Sequence, residues 1–381
     1  MRLVVGWALL ADAVPLYPLY ALFFAEHGMS GAEISALFAI WSVTGLVAEV
    51  PSGALSDRFP RRRVVAAGGV LQAAAYALWL LAPGFPGFAA GFVLWGVGTS
   101  LFSGTVEALV YEALAAAGAA ARYAGVRGLV TAAGHAAQVP SAAAATVLVA
   151  TGGYALVGWA SVGTCLAAAV LTCAFPDPPR AGPAAGPPED HPAETAEELT
   201  YRQTLRVGLA EAVGSRVVRG ALLAAALVGG VDALEEYFPL IVGQQETVAL
   251  VAVPGLLVLV ALAGALGAAL GGRARRLRGR GLAALVVPAA AALLVAGHGG
   301  ALGLGALGAY YALQQCAQVV TDTRVQERLS GRARATSTSV SALGTEAVAL
   351  AVFVAWGLGG TTAVAVGVLA LAPVLWWLLR R

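Results

Sequence analysis

The chain contains no lysine and few charged residues of any kind. Its 381 residues include 23 basic side chains, all arginine, and 21 acidic ones, so charged residues make up 12% of the sequence. A soluble globular domain usually carries about 25% charged residues. The absence of lysine also excludes a phosphate-binding loop of the Walker type, which requires one. The composition therefore argues against a soluble domain and against an enzyme built on such a loop.

Cysteine and histidine are too few and too scattered to predict a metal centre. The three cysteines all fall inside apolar runs without metal-ligand spacing, and we interpret them as packing residues: Cys165, Cys173 and Cys316. The histidines likewise form no metal or acyl-transfer constellation: His27, His135, His191 and His298. We expect no metal, no cofactor and no catalytic site.

Apolar sequence, in contrast, is abundant. Hydrophobic residues make up 59% of the chain and the mean hydropathy is +0.79. A spanning helix needs about 20 consecutive apolar residues, and irregular backbone cannot face lipid, so each such run is expected to be one helix. Twelve runs qualify: 4–25, 32–53, 64–82, 86–110, 126–149, 154–175, 219–242, 248–270, 281–297, 300–321, 336–358 and 361–379. The sequence predicts an all-α membrane protein whose first run is a span, not a cleaved signal peptide.

The positions of the arginines support this count. They lie at the two ends of the sequence and in even-numbered connections, and the odd-numbered connections contain none. The positive-inside rule then places both termini in the cytoplasm and the protein in the cell membrane. Several tryptophans fall near span ends, as interfacial aromatics do: Trp7, Trp79, Trp356, Trp376 and Trp377.

The longest connection divides the chain in half. We predict an N-terminal six-helix bundle over 1–175, a cytoplasmic linker over 176–218 and a C-terminal six-helix bundle over 219–381. The linker begins with a Pro/Gly/Ala-rich stretch that is typical of disorder. Its second part looks helical and carries an apolar stripe that could lie on the inner membrane surface; a solvated helix is the alternative. The stripe consists of Leu199, Leu205, Leu209 and Val213.

The two halves repeat each other weakly. The first span contains DAVPLYPL from Asp12, and the seventh contains DALEEYFPL from Asp232. The acids of EALVYE at the end of the fourth span match those of DTRVQE at the end of the tenth. GGRARR after the eighth span partly repeats the charged stretch after the second. Three matches in the same order predict two halves of like topology.

That charged stretch, GALSDRFPRRR at 53–63, resembles the loop signature G-x-L-x-D-R-x-G-R-R/K of the major facilitator superfamily. It lies where that family has it, between the second and third spans, although Pro60 replaces the usual glycine. With twelve spans and a halved chain, the resemblance covers almost the whole length. It implies two pseudo-symmetric six-helix bundles and secondary transport by alternating access.

We predict that this loop is a conformational latch. Asp57 could accept a hydrogen bond from Arg58 or face the positive N-terminus of a nearby helix. The resemblance implies that this helix is the eleventh, beginning near Thr336–Ser339. A purely topogenic loop, the alternative, does not explain Asp57. In the latch Gly53 permits close helix packing, while Arg61 and Arg62 hold the loop at the anionic inner surface.

Acidic residues inside spans are the candidates for transport and proton coupling. Each costs about 2.5–3.5 kcal/mol on insertion scales, so such residues usually face a cavity and carry function. The resemblance implies that spans one, four, seven and ten line the central cavity. Burial favours a neutral carboxyl group, which makes reversible protonation feasible. The candidates are Asp12, Glu107, Asp232, Glu235 and Glu346; Glu49 and Glu112 are expected to pair with loop arginines.

Aromatic and amide side chains are candidates for the substrate cavity. Aromatic walls could come from Tyr17, Tyr20, Phe102 and Tyr237, with core packing as the alternative. The tenth span also carries Gln315, and one of its faces presents Tyr311, Gln314 and Gln318. These polar groups could bind substrate or join helices to each other. His135 could relay protons or be structural.

The leading hypothesis is a monomeric, proton-coupled exporter of a small amphipathic molecule, embedded in membrane lipid. The direction is an analogy with the family, and specific drug antiport is weakened because Gln138 and Val139 replace a Gly-Pro pair in the fifth span. Import of a metabolite or nutrient is the alternative, and a membrane enzyme or a receptor is less favoured. Nucleic acid is not an expected partner, since the arginines are spread along the inner membrane face.

Overall fold

The computed structural model describes residues 1–175, 215–245, 248–274, 277, 279–328 and 334–380, and the regular structure of these residues is entirely helical. The predicted linker helix lies outside them. The described helices of the first half are α1 (Arg2–Asp12), α2 (Tyr20–Glu26), α3 (Gly31–Arg58), α4 (Arg61–Leu81), α5 (Phe85–Phe102), α6 (Thr105–Ala116) and α7 (Tyr123–Leu171). Those of the second are α8 (Arg216–Val231), α9 (Phe238–Gly243), α10 (Val253–Ala274), α11 (Gly279–Ala296), α12 (Gly300–Arg328) and α13 (Arg334–Leu378).

These helices account for the twelve predicted spans. In the described part of the chain, seven helical segments are long and apolar enough to cross a membrane. Two of them, within α7 and α13, each hold two predicted spans. The first predicted span corresponds to α1 together with α2, the ninth to α11 and the tenth to α12. Large apolar side chains point outward, such as Leu358 with 83% of its surface exposed, as expected of a surface that faces lipid.

Contacts divide the chain into two compact units, Met1–Pro192 with Leu250–Gly255, and Ala193–Ala249 with Leu256–Arg381. In the first unit α1 packs against α7, α3 against α5, and α4 against both α5 and α7. In the second unit α8 packs against α12 and α13, and α11 packs against the same two helices. The helix that opens each unit thus lies against the longest helix of that unit.

The same glycine pair interrupts the longest helix of each unit. Gly153 has φ 61° and ψ −162°, and Gly360 has φ 56° and ψ −145°. This backbone region is essentially restricted to glycine. Each pair, Gly152–Gly153 and Gly359–Gly360, lies at the junction between two predicted spans. The internal repeat therefore has a structural counterpart that the sequence matches did not use.

The expectation that every span is one uninterrupted helix is wrong for the first span. Helix α1 ends at Asp12 and α2 begins only at Tyr20. Pro15 and Pro18 lie in between, and neither can donate a backbone hydrogen bond. The backbone N–H of Leu16 donates instead to the hydroxyl of Ser161 at 2.9 Å. Irregular backbone is tolerated at membrane depth when the protein itself satisfies its polar groups.

The fourth and seventh spans are interrupted as well. The fourth breaks at Gly104, whose φ of 67° separates α5 from α6. The seventh breaks where α8 ends, and a 3₁₀ segment, Asp232–Tyr237, leads into α9. The first and seventh spans therefore break at corresponding places, and each break carries one of the two repeated aspartates. The tenth span, α12, is continuous.

Candidate functional site

Asp232 stands at the point where the seventh span breaks. It follows the last residue of α8 and is the first residue of the 3₁₀ segment. Its side chain is half-buried, and the Nε2 of Gln315 on α12 donates a hydrogen bond to its Oδ1 at 2.8 Å. The sequence analysis placed Gln315 in the tenth span but not on the substrate face. The hydrogen-bond partner of the Asp232 carboxyl group is therefore an amide.

Glu235 lies one turn further along the same 3₁₀ segment. Its Oε2 accepts a hydrogen bond from the hydroxyl of Tyr311 at 2.9 Å. The ring of Tyr311 packs edge-on against Phe238, with ring centres 5.1 Å apart. It also fills the space above Gly264, where a Cβ atom would come within 2.5 Å of the ring. Packing thus fixes the Tyr311 hydroxyl beside the carboxylate.

Further polar groups lie along α12. Gln314 is buried and donates through Nε2 to the backbone oxygen of Val228 at 2.6 Å, which fits its alternative role of joining two helices. Among the described residues, Gln318 Oε1 and the Tyr310 hydroxyl are buried without a hydrogen-bond partner. Buried polar atoms are rarely left unpaired, so both are available to water or a ligand. Tyr310 also interacts electrostatically with Asp232.

Asp12 occupies the corresponding break in the first unit, with different partners. Its carboxyl group is exposed and rests against Gly134 of α7, where a Cβ would come within 2.1 Å of Asp12 Oδ2. His135, the next residue on α7, interacts electrostatically with it. A side chain at position 134 would block this contact, so the contact requires glycine there. The sequence alone did not indicate this role.

Glu107 differs from both aspartates because it is paired with an arginine. It forms an ion pair with Arg127, which joins α6 to α7, and the two side chains are 43% and 44% exposed. The sequence analysis did not foresee this pair. Arg127 lies in the first turns of α7, next to the predicted start of the fifth span. Glu346 is half-buried on α13.

Two predicted cavity aromatics are enclosed in the cores of their units, so they do not wall a cavity in this structure. Tyr20 is 2% exposed, and its ring contacts Phe24, Phe38, Trp79, Phe92 and Trp95. Tyr237 is fully buried and stacks on Trp356 with ring centres 4.2 Å apart. Core packing, the alternative, describes both.

The other two predicted aromatics of the first unit keep part of their surface accessible. Phe102 is half-buried, and its ring lies edge-on to Trp7 with ring centres 5.2 Å apart. Tyr17 is exposed and touches Trp95, with ring centres 6.3 Å apart. Of the four candidates, Tyr17 has the environment that best suits contact with a ligand.

The charged loop is built around an ion pair within the first unit. Arg61 donates through Nε and Nη2 to both carboxylate oxygens of Glu112, at 2.9 and 2.7 Å, and through Nη1 to Ser56 at 3.0 Å. The expected pairing of Glu112 with a loop arginine is confirmed, and the arginine that forms it is Arg61. Glu49 differs from expectation too, since it accepts from the Ser103 hydroxyl at 2.8 Å.

The remaining latch residues lie at the end of α3 and the start of α4. Asp57 and Arg58 are exposed in the last turn of α3, and Arg62 is half-buried. A Cβ added at Gly53 would meet no described atom within 4 Å, so the expected close helix packing is not seen there. The side chains of Thr336–Ser339, the expected partners of Asp57, lie outside the described residues.

The fold is similar to that of solved transporters. It resembles a bacterial homolog of the human lysosomal transporter Spinster, in an inward-facing and unoccupied conformation, with a TM-score of 0.75, 15% identity and coverage of 99% of this chain and 95% of that one. The nucleoside transporter NupG gives 0.67 at 12% identity, covering 99% and 96%. The D-xylose-proton symporter gives 0.66 at 13% identity, covering 99% and 96%.

No curated protein matches the sequence significantly. The family model of the Major Facilitator Superfamily, in contrast, matches residues 3–349. That match spans nearly the whole chain and agrees with the twelve-helix architecture. The chain belongs to the Major Facilitator Superfamily, and it is a multi-pass membrane transporter, not an enzyme.

Proposed function

We propose that the protein exports a small amphipathic organic molecule in exchange for protons, with Asp232 as the main proton-carrying group. The observation that carries the proposal is the hydrogen bond between Asp232 and Gln315 at the break of the seventh span. Within the described residues, the charged groups that act on this carboxyl group are the acids Glu235 and Asp322, and like charges repel each other. A neutral, protonated form is therefore accessible to it.

The chemistry of the partner separates a proton carrier from a structural acid. An amide can donate through its NH₂ group to a carboxylate, or accept through its oxygen from a protonated acid, so Gln315 suits both states of Asp232. A tyrosine hydroxyl has the same two-way capacity, so Tyr311 suits both states of Glu235. Arg127 can only donate, so it lacks this two-way capacity toward Glu107. Asp232 and Glu235 are favoured over Glu107 on this ground.

The groups around Asp232 also suit an amphipathic substrate. The Tyr310 hydroxyl interacts with Asp232 and has no hydrogen-bond partner among the described residues, and the ring of Tyr311 offers an apolar face. Export is proposed by analogy with the family. Import is the competing direction, and it is supported by the fold shared with the D-xylose-proton symporter. Asp12, beside His135, is the second candidate for a proton site.

The experiment begins with a thermal-shift screen of amphipathic compounds on the purified protein. A compound that stabilises the protein is then used in proteoliposome flux measurements, with the pH gradient imposed in each direction. We expect Asp232→Asn to abolish gradient-driven flux while exchange without a gradient survives. The matched control is Glu107→Gln, which should keep gradient-driven flux.

Two results would contradict the assignment. Gradient-driven flux at the normal rate in Asp232→Asn would exclude this residue as the proton carrier. Loss of substrate binding at every pH in the same variant would make Asp232 a recognition group for a cationic substrate. The sign of the gradient that drives accumulation decides between export and import.

A further inference from the structure

A small cavity in the second unit lies away from the broken span, where α8 begins and where α12 and α13 end. Its volume is about 70 Å³. Sites for drug-sized ligands measure about 300–1,000 Å³, so this cavity is too small to be the substrate site. It is lined by Arg216, Val217, Arg328, Trp377, Leu378 and Arg380.

Positive charge dominates this cavity. The guanidinium carbons of Arg216 and Arg380 lie 5.4 and 5.6 Å from the centre of the Trp377 ring, so two cations share one indole. Arg328 adds a third guanidinium group, and no acidic side chain is among the lining residues. Like charges held this close repel each other, and a bound anion would offset that repulsion. The N-terminus of α8, which opens here, adds the positive end of a helix dipole.

We propose that this cavity binds the phosphate of an anionic phospholipid headgroup such as phosphatidylglycerol. Arginine matches phosphate through paired N–H donors, and three of them converge here. Trp377 is 49% exposed next to the cavity, which is typical of an aromatic side chain at the membrane–water interface. A headgroup bound by the arginines therefore leaves its acyl chains on the lipid side of the tryptophan. The predicted topology places this site at the cytoplasmic leaflet.

Native mass spectrometry of the detergent-purified protein tests the proposal by titration with phosphatidylglycerol and, separately, phosphatidylcholine. We expect a phosphatidylglycerol adduct in the wild type that weakens as salt rises. Arg216→Gln and Arg380→Gln should each weaken its apparent affinity about fivefold, the effect expected of one arginine near an anionic headgroup. The matched control is Arg122→Gln, an exposed arginine just before α7 in the first unit, which should leave the affinity unchanged.

Thermal unfolding without added lipid checks that Arg216→Gln and Arg380→Gln remain folded. If one of these variants is unfolded, the other still tests the proposal. The proposal is overturned if phosphatidylcholine binds equally well, or if Arg122→Gln weakens binding as much as the cavity variants. It is also overturned if inorganic phosphate or glycerol phosphate displaces phosphatidylglycerol at equal concentration. That result would assign the cavity to a soluble anion.

Discussion

Helix α6 carries two ion pairs that differ mainly in exposure, and this difference predicts unequal energies. Glu112 forms two parallel hydrogen bonds with Arg61, and the side chains are only 17% and 19% exposed. Glu107 meets Arg127 through one contact, with side chains 43% and 44% exposed. Water and salt screen the second pair far more than the first.

The expected magnitudes follow from these geometries. Exposed ion pairs contribute about 0.2–1 kcal/mol, whereas hydrogen bonds to charged groups contribute about 1.5–3 kcal/mol when they are better shielded. Discounted for its remaining exposure, the Arg61–Glu112 coupling should be about 1–2 kcal/mol, and the Arg127–Glu107 coupling about 0.5 kcal/mol or less. For a unit of this size, 1 kcal/mol corresponds to a change in Tm of about 2–4 °C.

The assay is a double-mutant cycle on each pair, with glutamine replacing each charged residue singly and together. Unfolding of the detergent-purified variants gives the coupling energy of each pair. Raising the salt concentration should reduce the Arg127–Glu107 coupling first. If the Arg127–Glu107 coupling equalled or exceeded the Arg61–Glu112 coupling, the reasoning from exposure and bidentate geometry would be refuted.

Three further predictions concern topology, backbone and latch. Cysteines placed in three of the predicted outer connections, in a Cys173→Ser background, should react with an impermeant reagent from outside only, and reaction from inside would contradict the topology; the positions are His27, Pro83 and His298. Gly153→Ala should destabilise the protein by about 1–3 kcal/mol in thermal unfolding because of its positive φ, while Gly163→Ala, in a helix with open space around it, should not. Asp57→Asn should slow transport without lowering Tm, and a normal transport rate would remove the latch from the account.

The sequence predicts the all-α class and the twelve spans because both depend on long apolar runs and on arginine placement. It does not predict the breaks. The apolar run of the first span continues through Pro15 and Pro18, and hydropathy is insensitive to whether a backbone is helical. The break is stabilised because the hydroxyl of Ser161, far away in the sequence, accepts a hydrogen bond from the backbone N–H of Leu16. Long-range contacts of this kind leave no periodic signal.

The candidate site was predictable in its residue types but not in its pairings. Helical periodicity places Tyr311 and Gln314 on one face of α12, yet Gln315 is the residue that reaches Asp232. The two acids of the 3₁₀ segment are reached by Tyr311 and Gln315, which lie four residues apart on α12. Aromatic residue type likewise cannot separate a buried ring such as Tyr20 from an accessible one such as Tyr17.

The proposed function depends on the coupling of substrate movement to protons through Asp232. Its most direct test is the proton movement that substrate itself causes in proteoliposomes, recorded with an entrapped pH-sensitive dye and no imposed gradient. We expect that substrate added to the wild type changes the internal pH, and that Asp232→Asn moves substrate by exchange without any pH change. Substrate flux in the wild type with no accompanying pH change, unaffected by a protonophore, would contradict it.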